Sequence, residues 1–533
     1  MKAGVRLVVA AVVAMATPMA GRAEAPSPAA IDRVFSQFGP SAPGCAVGVE
    51  AAAQPPLLRA YGSTDLEHGV ANTVDSVFEA GSVSKQFTAA AVLLLAKDGK
   101  LSLDDDVRKY LPELPDYGRP ITIAELLSHT SGLRDWGEVE GIAGWPRGDR
   151  VYSLDDVLRI ASRQRALNYA PGTAWSYTNT GFNLLAIIVQ RVSGQSLAAY
   201  TREKLLVPLG MMHTQWRDDF RRIVPGRAIA YVRDEGGAYA QFMPFENAYG
   251  NGGLLTTVGD LLVWNRALSE GRLGPYVTTE LQRQAKLSDG RTVDYARGLF
   301  IERYHGVREV SHSGATAGYR AWLGRYPDQG LSIAILCNAG EARAAALAHA
   351  TADLYLPAGP APSAAAEAPS ASLQGWYASD REGQPLHLAL KDGRLETDTG
   401  AALEARPGGG YVLAGADAVV LKDGRIQLDQ SGDVATFSRA EAYAPSAREL
   451  SRIAGRYRSE EAQATYVVTP DKGGLRLTVE DRPDQTIVMK PAYTDAFASS
   501  GVVVRLVRGA GGEVTGLRVS DDRVWDLRFE RLP

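Results

Sequence analysis

The chain changes character at residues 357–372, a stretch of Pro, Ala, Gly and Ser with almost no large apolar side chain. This composition is typical of a linker. With 533 residues the chain is also too long for one compact core. We therefore expect a first domain over residues 26–356 and a separate C-terminal half. Because the linker suggests few contacts across the boundary, we also expect the first domain to fold when residues 372–533 are removed.

The two halves differ in their hydrophobic periodicity. Upstream, helical patterns such as residues 87–96 and 183–192 alternate with strand-like runs, which indicates an α/β or α+β domain. Downstream, short alternating runs separated by Asp-Gly and Gly-Gly turns are typical of antiparallel β structure. A weak repeat relates the segment that begins at Leu373 to the one that begins at Ile453. It predicts two small β-barrels, over residues 373–445 and 446–533, and the alternative is one β-sandwich.

The first 25 residues have the features of a secretory signal peptide. Two basic residues precede an apolar run over residues 7–16, and small residues follow, with cleavage expected after Ala23 or Ala25. No later segment approaches the length of about 20 apolar residues that a membrane span requires. We therefore expect a periplasmic or secreted protein. A formal charge of −4 provides no basic field for a nucleic-acid partner.

The two cysteines, Cys45 and Cys337, are too few for a disulfide framework. Each lies at or beside a strand-like apolar segment, so we interpret both as small buried side chains. A disulfide is the alternative if the two strands are antiparallel neighbours.

The first catalytic candidate is Ser82, followed one helical turn later by Lys85. Serine becomes nucleophilic when a base takes its proton, and a desolvated, partly neutral lysine can be that base. Gly81 precedes Ser82 and a continuous helical pattern follows it, so both side chains should lie on one face at a helix start. The Ser-x-x-Lys pattern alone is weak, because it arises by chance in a chain of this length.

The second candidate is Tyr177, with Asn179 two residues later. A phenolate can take the serine proton and return it to a leaving group, while an asparagine amide can hold the lysine and the substrate carbonyl. The same pattern recurs at Tyr249 and Asn251. We favour Tyr177, because it precedes a helical pattern, whereas Tyr249 leads into two glycines.

The third candidate is His312, Ser313 and Gly314, which follow one strand-like run and precede another. Glycine allows a substrate to lie against the strand edge, and His312 offers a hydrogen-bond donor. The amide of Ala315 and that of Ser82 could form an oxyanion hole. A similar pattern begins at His129, but it closes an amphipathic stretch and is better explained as a helix C-terminus.

Together, these three motifs and their order resemble the β-lactamase-related serine hydrolases, which include cephalosporinase-type β-lactamases, DD-peptidases, D-aminopeptidases and esterases. The resemblance covers about residues 29–355, and segments 78–88, 126–133 and 251–260 support it. The two C-terminal β modules are similar in placement to the paired barrels of the D-aminopeptidases. The chain departs from many penicillin-recognising members at His312, where they carry lysine.

The resemblance implies an α+β fold, in which an antiparallel sheet is flanked by helices and an all-helical lobe is inserted roughly between Asp105 and Leu254. It implies an acyl-serine intermediate on Ser82, Lys85 and Tyr177 as the acid/base pair, and Asn179 as a positioning residue. It implies no metal and no organic cofactor. It also implies that a barrel loop reaches the cleft and influences the substrate profile.

These features predict an exported hydrolase that cleaves an amide or ester bond of a small peptide, amide or ester substrate. A D-amino-acid peptidase or aminopeptidase is favoured, followed by a small-ester hydrolase and then a β-lactamase or DD-carboxypeptidase. A neutral histidine at position 312 should bind a substrate carboxylate weakly. This favours an aminopeptidase or an esterase over a β-lactamase or a carboxypeptidase. The non-enzyme alternatives are a β-lactam-binding protein and a peptidoglycan- or carbohydrate-binding protein.

Overall fold

The computed structural model describes residues 26–52, 54–359, 368–406 and 409–533. The predicted signal peptide and the middle of the predicted linker lie outside these ranges. Within them, none of the helices combines the length and the apolar composition needed to cross a bilayer.

The first domain contains strands and helices in mixed order along the chain. Its strands are β1 (Cys45–Ala51), β2 (Leu57–Tyr61), β3 (Ser63–Asp65), β4 (Val70–Ala71), β5 (Phe78–Glu79), β6 (Gln215–Trp216), β7 (Tyr231–Arg233), β8 (Tyr239–Gln241), β9 (Leu254–Thr256), β10 (Phe300–Tyr304), β11 (Val307–Thr316), β12 (Tyr319–Tyr326) and β13 (Leu331–Cys337). Its helices are α1 (Pro28–Val34), α2 (Lys85–Lys97), α3 (Ile123–Leu127), α4 (Trp136–Ile142), α5 (Leu154–Arg163), α6 (Asn179–Ser193), α7 (Leu197–Thr201), α8 (Val207–Leu209), α9 (Val258–Ser269), α10 (Pro275–Leu281) and α11 (Ala344–Ala352).

A six-stranded antiparallel sheet, in the order β10-β11-β12-β13-β1-β2, forms the centre of this domain. All residues of β13 and the first five of β1 are buried, because helices cover both faces of the sheet. Helices α1 and α11 pack on one face, and α2 and α9 pack on the other. Two separate apolar layers therefore fix the sheet, and β11 is held in place beside the start of α2.

Cys45 and Cys337 form a disulfide bond between β1 and β13. The two residues are direct partners in the antiparallel register, with their Cα atoms 4.0 Å apart. Our interpretation of two unpaired buried cysteines is therefore wrong. The pairing depends on a register between strands that are 292 residues apart in sequence, which the local pattern does not specify.

Helices α3 to α8 form a lobe on one side of the sheet. Helix α6 begins at an N-cap, Thr178, whose hydroxyl accepts from the amide of Thr180, and it ends at Gly194 in the left-handed conformation. The implied all-helical lobe ends earlier than expected. Beyond α8 the chain runs through short strands, β6 to β9, before α9 begins.

The C-terminal half contains two eight-stranded antiparallel units, which confirms the prediction of two barrels. The first is nearly closed and consists of β14 (Gly375–Ser379), β15 (Pro385–Lys391), β16 (Arg394–Glu396), β17 (Leu403–Ala405), β18 (Tyr411–Leu413), β19 (Ala416–Val420), β20 (Ile426–Gln430) and β21 (Asp433–Ala440). Helix α12 (Ala447–Ile453) then leads into a closed barrel of β22 (Gly455–Ser459), β23 (Ala464–Asp471), β24 (Gly474–Val479), β25 (Arg482–Pro491), β26 (Ala496–Ser499), β27 (Val502–Arg508), β28 (Val514–Ser520) and β29 (Leu527–Arg531).

The second barrel shares a hydrophobic core with the helical lobe. Side chains of α4 and α5, including Trp136 and Ile142, lie in one buried cluster with side chains of the barrel strands and of α12. Arg134 forms a buried ion pair with Glu461, at 2.9 Å, and donates to the carbonyl of Trp525. The expectation of few contacts between the two halves is therefore wrong. The composition of residues 357–372 indicates a linker, but it carries no information about how the domains on either side pack against each other.

Candidate active site

Ser82 lies in a tight 3₁₀ turn, Gly81–Ser84, between β5 and α2. Gly81 has a φ of +51°, and a Cβ at this position would lie 2.6 Å from the amide nitrogen of Ala315. A Cβ on Gly314 would lie 2.0 Å from the carbonyl oxygen of Ala80 and 3.2 Å from the amide nitrogen of Ser82. Glycine at both positions thus allows β11 to pack against the helix start. The amides of Ser82 and Ala315, the predicted oxyanion pair, lie on these two adjacent segments.

Lys85 is fully buried in the first turn of α2. Its Nζ lies 3.2 Å from Ser82 Oγ, 2.9 Å from Asn179 Oδ1 and 2.8 Å from the carbonyl oxygen of Asn251. Burial, and then the positive charge of Arg523, hold the pKa of Lys85 well below its usual value. A neutral amine donates two hydrogens to the two carbonyl oxygens and directs its lone pair toward Ser82.

Tyr177 lies in the extended segment that precedes α6 and faces both Ser82 and Lys85. Its ring centroid is 4.7 Å from Lys85 Nζ and 4.3 Å from the centroid of the His129 ring. Burial raises the pKa of Tyr177, while a hydrogen bond with Ser82 and the charge of Arg523 lower it. The structure therefore brings Ser82, Lys85 and Tyr177 together, as the motifs and the family resemblance imply.

Asn179 is held by Asp135, a residue that the sequence patterns do not single out. One oxygen of Asp135 accepts from the amide of Asn179, at 2.6 Å, and the other accepts from the amide of Gly137, at 2.9 Å. Asp135 therefore caps α4 and orients the start of α6 with one buried carboxylate. No local sequence signal reveals the contact between Asp135 and Asn179, because these residues are 44 positions apart.

His312 is buried beneath the cleft and is neutral. Burial, and then the charge of Lys85, lower the pKa of His312 to about 3. Its Nδ1 lies 2.6 Å from the carbonyl of Ser313, and its Nε2 lies 3.1 Å from the hydroxyl of Tyr295. In the neutral ring, Nδ1–H donates to that carbonyl and Nε2 accepts from the hydroxyl. The N–H expected to face a substrate is thus used within the protein, while Ser313 lies exposed on the cleft edge.

Two motifs that sequence reasoning set aside also contribute to the site. His129 lies at the end of α3, as expected for a helix terminus, but its buried ring packs against Tyr177 and its Nδ1 lies 3.3 Å from the amide of Thr178. Asn251 supplies the carbonyl that binds Lys85, whereas Tyr249 packs against Trp216. The motifs at His129 and at Tyr249 therefore lie near the site. Tyr177, which the sequence analysis favours over Tyr249, is the tyrosine that faces Ser82.

These residues line a cleft of about 800 Å³ between the sheet and the helical lobe. Both barrels contribute to its walls. Ser431 reaches the cleft from the turn between β20 and β21, and Asp433 from the first position of β21, while the loop between β28 and β29 brings Asp522 and Arg523. The barrel loop that the resemblance implies at the cleft is thus present, and each barrel supplies one segment.

Each acidic side chain that lines the cleft lies within ion-pair distance of an arginine. Glu79 pairs with Arg217, Glu246 pairs with Arg147, and Asp433 pairs with Arg381. Asp522 is the most exposed of these carboxylates, with 85% of its side chain accessible, and it lies 3.5 Å from Arg523.

Two further features bear on the ligands that the protein could bind. Arg320 lines the cleft beside Ala315 and donates to the backbone carbonyls of Ala317 and Tyr319. Within the described ranges, the grouping of ligand atoms compatible with a metal ion is Asp65, Glu67 and His68, on the exposed turn between β3 and β4 and outside the cleft.

Comparison with known proteins identifies the first domain. The family model described as Beta-lactamase matches residues 31–356, which is more than half of the chain. The D-aminopeptidase of Brucella melitensis is 27% identical over 523 residues, and the alignment covers 92% of this chain and 96% of that protein. The similarity therefore extends through both barrels.

Solved structures show the same fold. The octameric penicillin-binding protein homologue from Pyrococcus abyssi matches with a TM-score of 0.55 at 20% identity, and the match covers 94% of this chain and 97% of that one. A D-stereospecific amidohydrolase from Streptomyces matches with a TM-score of 0.53 at 24% identity, and the match covers 61% of this chain and 97% of that one. The predicted β-lactamase and DD-peptidase-like fold is confirmed.

Proposed function

The chain belongs to the beta-lactamase family and is a serine hydrolase, and from this premise we propose that it cleaves the amide bond that follows a D-amino acid residue with a free amino group. The observation that carries the proposal is the contact of Lys85 Nζ with Ser82 Oγ next to the ring of Tyr177, in a cleft that residues of both barrels line. The full-length similarity to D-aminopeptidases supports this substrate class.

The proposed reaction begins when Ser82 Oγ attacks the carbonyl carbon of the substrate. Lys85 and Tyr177 take the serine proton as the new C–O bond forms, and they return it to the leaving nitrogen as the C–N bond breaks. Water then attacks the acyl-serine and gives its proton to the same pair, which return it to Ser82 Oγ as the acyl C–O bond breaks and the acid leaves. The amides of Ser82 and Ala315 stabilise the oxyanion in both steps, and Asn179 holds Lys85 and the substrate.

The charges of the cleft support a substrate with an ammonium group. His312, at the position where many penicillin-recognising relatives carry lysine, is neutral and buried, so it does not repel a cation. Asp522 is an accessible carboxylate at the same cleft. We propose that Asp522 pairs with the free amino group of the substrate.

A carboxylate-bearing substrate is the second candidate, and Arg320 favours it. This guanidinium lines the cleft beside the oxyanion strand and is hydrogen-bonded to two backbone carbonyls. Arg320 supplies the positive charge for the carboxylate of a β-lactam or a peptide C-terminus that the neutral His312 does not supply.

A panel of chromogenic substrates tests the proposal. Nitroanilides of D-alanine and L-alanine, N-acetyl-D-alanine nitroanilide, nitrophenyl acetate and a chromogenic cephalosporin would be compared on the full chain, with Ser82→Ala as the blank. We expect the highest kcat/KM for the free D-amino acid amide. A clear preference for the L-isomer, for the simple ester or for the cephalosporin would refute the proposed substrate class.

The substitution Asp522→Asn tests the proposed ammonium contact. Loss of one charge-assisted contact should lower kcat/KM for D-alanine nitroanilide by about tenfold, since such a contact contributes about 1.5 kcal/mol. The N-acetylated substrate, which has no ammonium group, should be affected less than twofold. An equal loss on both substrates would assign Asp522 a structural role.

We also propose that the protein is exported. The Cys45–Cys337 disulfide supports this, because disulfides form and persist in oxidising compartments. Fractionation of cells that express the full sequence, with and without residues 1–25, tests the proposal. Recovery of both forms in the cytoplasm would contradict it.

A further inference from the structure

The side chains of Lys85 and Arg523 both lie close to the ring of Tyr177, and they come from different domains. Nζ of Lys85 lies 4.7 Å from the ring centroid, and Cζ of Arg523 lies 5.2 Å from it. His312, 6.1 Å from Tyr177 between ring centroids, is neutral and adds no charge. The positive field around the phenol therefore depends on a residue of the second barrel.

The backbone of Arg523 is fixed independently of its side chain. Its carbonyl accepts from the amide of Asp135, at 3.2 Å, and from Nδ2 of Asn168, at 3.0 Å. Its amide donates to Oδ1 of Asp521, at 2.9 Å. The loop is thus docked on the lobe at the residue that orients Asn179, and a change of the Arg523 side chain leaves this docking in place.

We propose that Arg523 is a positioning residue that sets the protonation states of the relay formed by Ser82, Lys85 and Tyr177. A positive charge at this place disfavours the ammonium form of Lys85 and favours the phenolate form of Tyr177. Both effects increase the capacity of the pair to take the proton of Ser82. The second barrel thereby acts on the chemical step as well as on the shape of the cleft.

Arg523 lies over the ring of Tyr177 and pairs at 3.5 Å with Asp522, whose side chain is 85% exposed to solvent, so water screens this partner. The other titratable groups that face the relay are Asp135, Glu138, Arg147, His129, His312, Asp521 and Asp522. Arg147 is paired with Glu246, and the two histidines are held neutral by burial. Asp135 opposes Arg523, but two amide hydrogen bonds partly offset its charge.

The sign of the effect gives a measurable prediction. Without the charge of Arg523, the pKa values of Lys85 and Tyr177 both rise, so the relay becomes competent at a higher pH. In Arg523→Met, the acidic limb of the pH–rate profile should move upward by about one pH unit, and the rate at pH 7 should fall about tenfold. The plateau at high pH should stay within about twofold of the unmodified protein.

The rate of Ser82 labelling by a fluorophosphonate, followed from pH 5 to 10, is the proposed measurement. The probe carries no amino acid, so the result depends on the proposed relay and not on the proposed substrate class. Arg523→Lys keeps the charge and should retain the original limb. Arg528→Met removes an arginine from an exposed position on β29 of the same barrel and should also leave the limb unmoved.

Three outcomes would overturn the proposal. The limb of Arg523→Met could stay in place while the plateau falls, which indicates a structural role. Arg523→Lys could fail to restore the limb, or Arg528→Met could move it equally, which indicates a nonspecific effect. If the limb moves as expected while the chromogenic panel shows no preference for D-amino acid amides, the relay role of Arg523 stands and the proposed substrate alone is wrong.

Discussion

At the scale of single residues, the site depends on buried polar groups whose partners are distant in sequence. Lys85 binds Asn179 and Asn251, which are 94 and 166 residues away. Each buried polar atom needs such a partner, because an unpaired polar group costs about 1–3 kcal/mol. The same contacts that satisfy the buried amine of Lys85 therefore also fix its distance from Ser82.

Lys85→Ala and Tyr177→Phe test whether these residues act as one relay. Each should lower kcat/KM by about 1,000-fold, and the double variant should lose little more, since members of one relay are not additive. Tyr249→Phe is the matched control, because this tyrosine has the same Tyr-x-Asn pattern but packs against Trp216. Losses that multiply in the double variant would mean that the two residues act independently.

At the scale of secondary-structure elements, the contact between β11 and the start of α2 positions the oxyanion amides. Gly314→Ala adds a Cβ at 2.0 Å from the backbone of Ala80, so β11 must move away. We expect kcat to fall by about 100-fold, the usual cost of a lost oxyanion donor. Gly141→Ala, in a helix with no atom within 4 Å of the added Cβ, should retain activity. Unchanged kcat in Gly314→Ala would separate this contact from catalysis.

The disulfide between β1 and β13 links residues near the two ends of the first domain's sequence. In the fold, these residues lie on neighbouring strands inside the central sheet. Replacing Cys45 and Cys337 by alanine should lower the free energy of unfolding by about 4 kcal/mol, because the bond closes a very long loop in the unfolded chain. Urea unfolding with and without dithiothreitol measures this. Reductant should destabilise the unmodified protein and leave the double variant unchanged. An equal response of both proteins would show that the bond does not contribute.

At the scale of the whole molecule, the second barrel and the helical lobe form one hydrophobic core. Tyr466 illustrates the connection, because its hydroxyl donates to the carbonyl of Ile142 and its ring lies in the shared cluster. Arg134 and Glu461 add a buried ion pair, and removal of one member of such a pair costs about 3–5 kcal/mol. The first domain and the second barrel should therefore unfold together, in one cooperative transition, although the sequence predicts them as separate domains.

Deletion of residues 373–533 should leave the first domain aggregated or without a cooperative unfolding transition, since it exposes the apolar faces of α4 and α5. A protease site placed within residues 360–367 is the control. After cleavage there, the two halves should co-elute and remain active, because the shared core and not the linker holds them together. A truncated domain that is soluble and unfolds cooperatively would contradict the prediction.

The sequence by itself determined the chemistry of the site and the class of the fold. Ser82 and Lys85 are one helical turn apart, and the two further motifs that follow them in order gave this pattern its meaning, while alternating β patterns and turn residues predicted the barrels. The tertiary structure decided the cysteine pairing, the contacts of Asp135 and Asn251, the burial and internal hydrogen bonds of His312, and the position of Arg523 beside Tyr177. Each of these depends on strand register or on the packing of separate domains, and such long-range contacts leave no periodic signal in the chain. A pKa likewise depends on burial and on neighbouring charges, which exist only once distant segments have met.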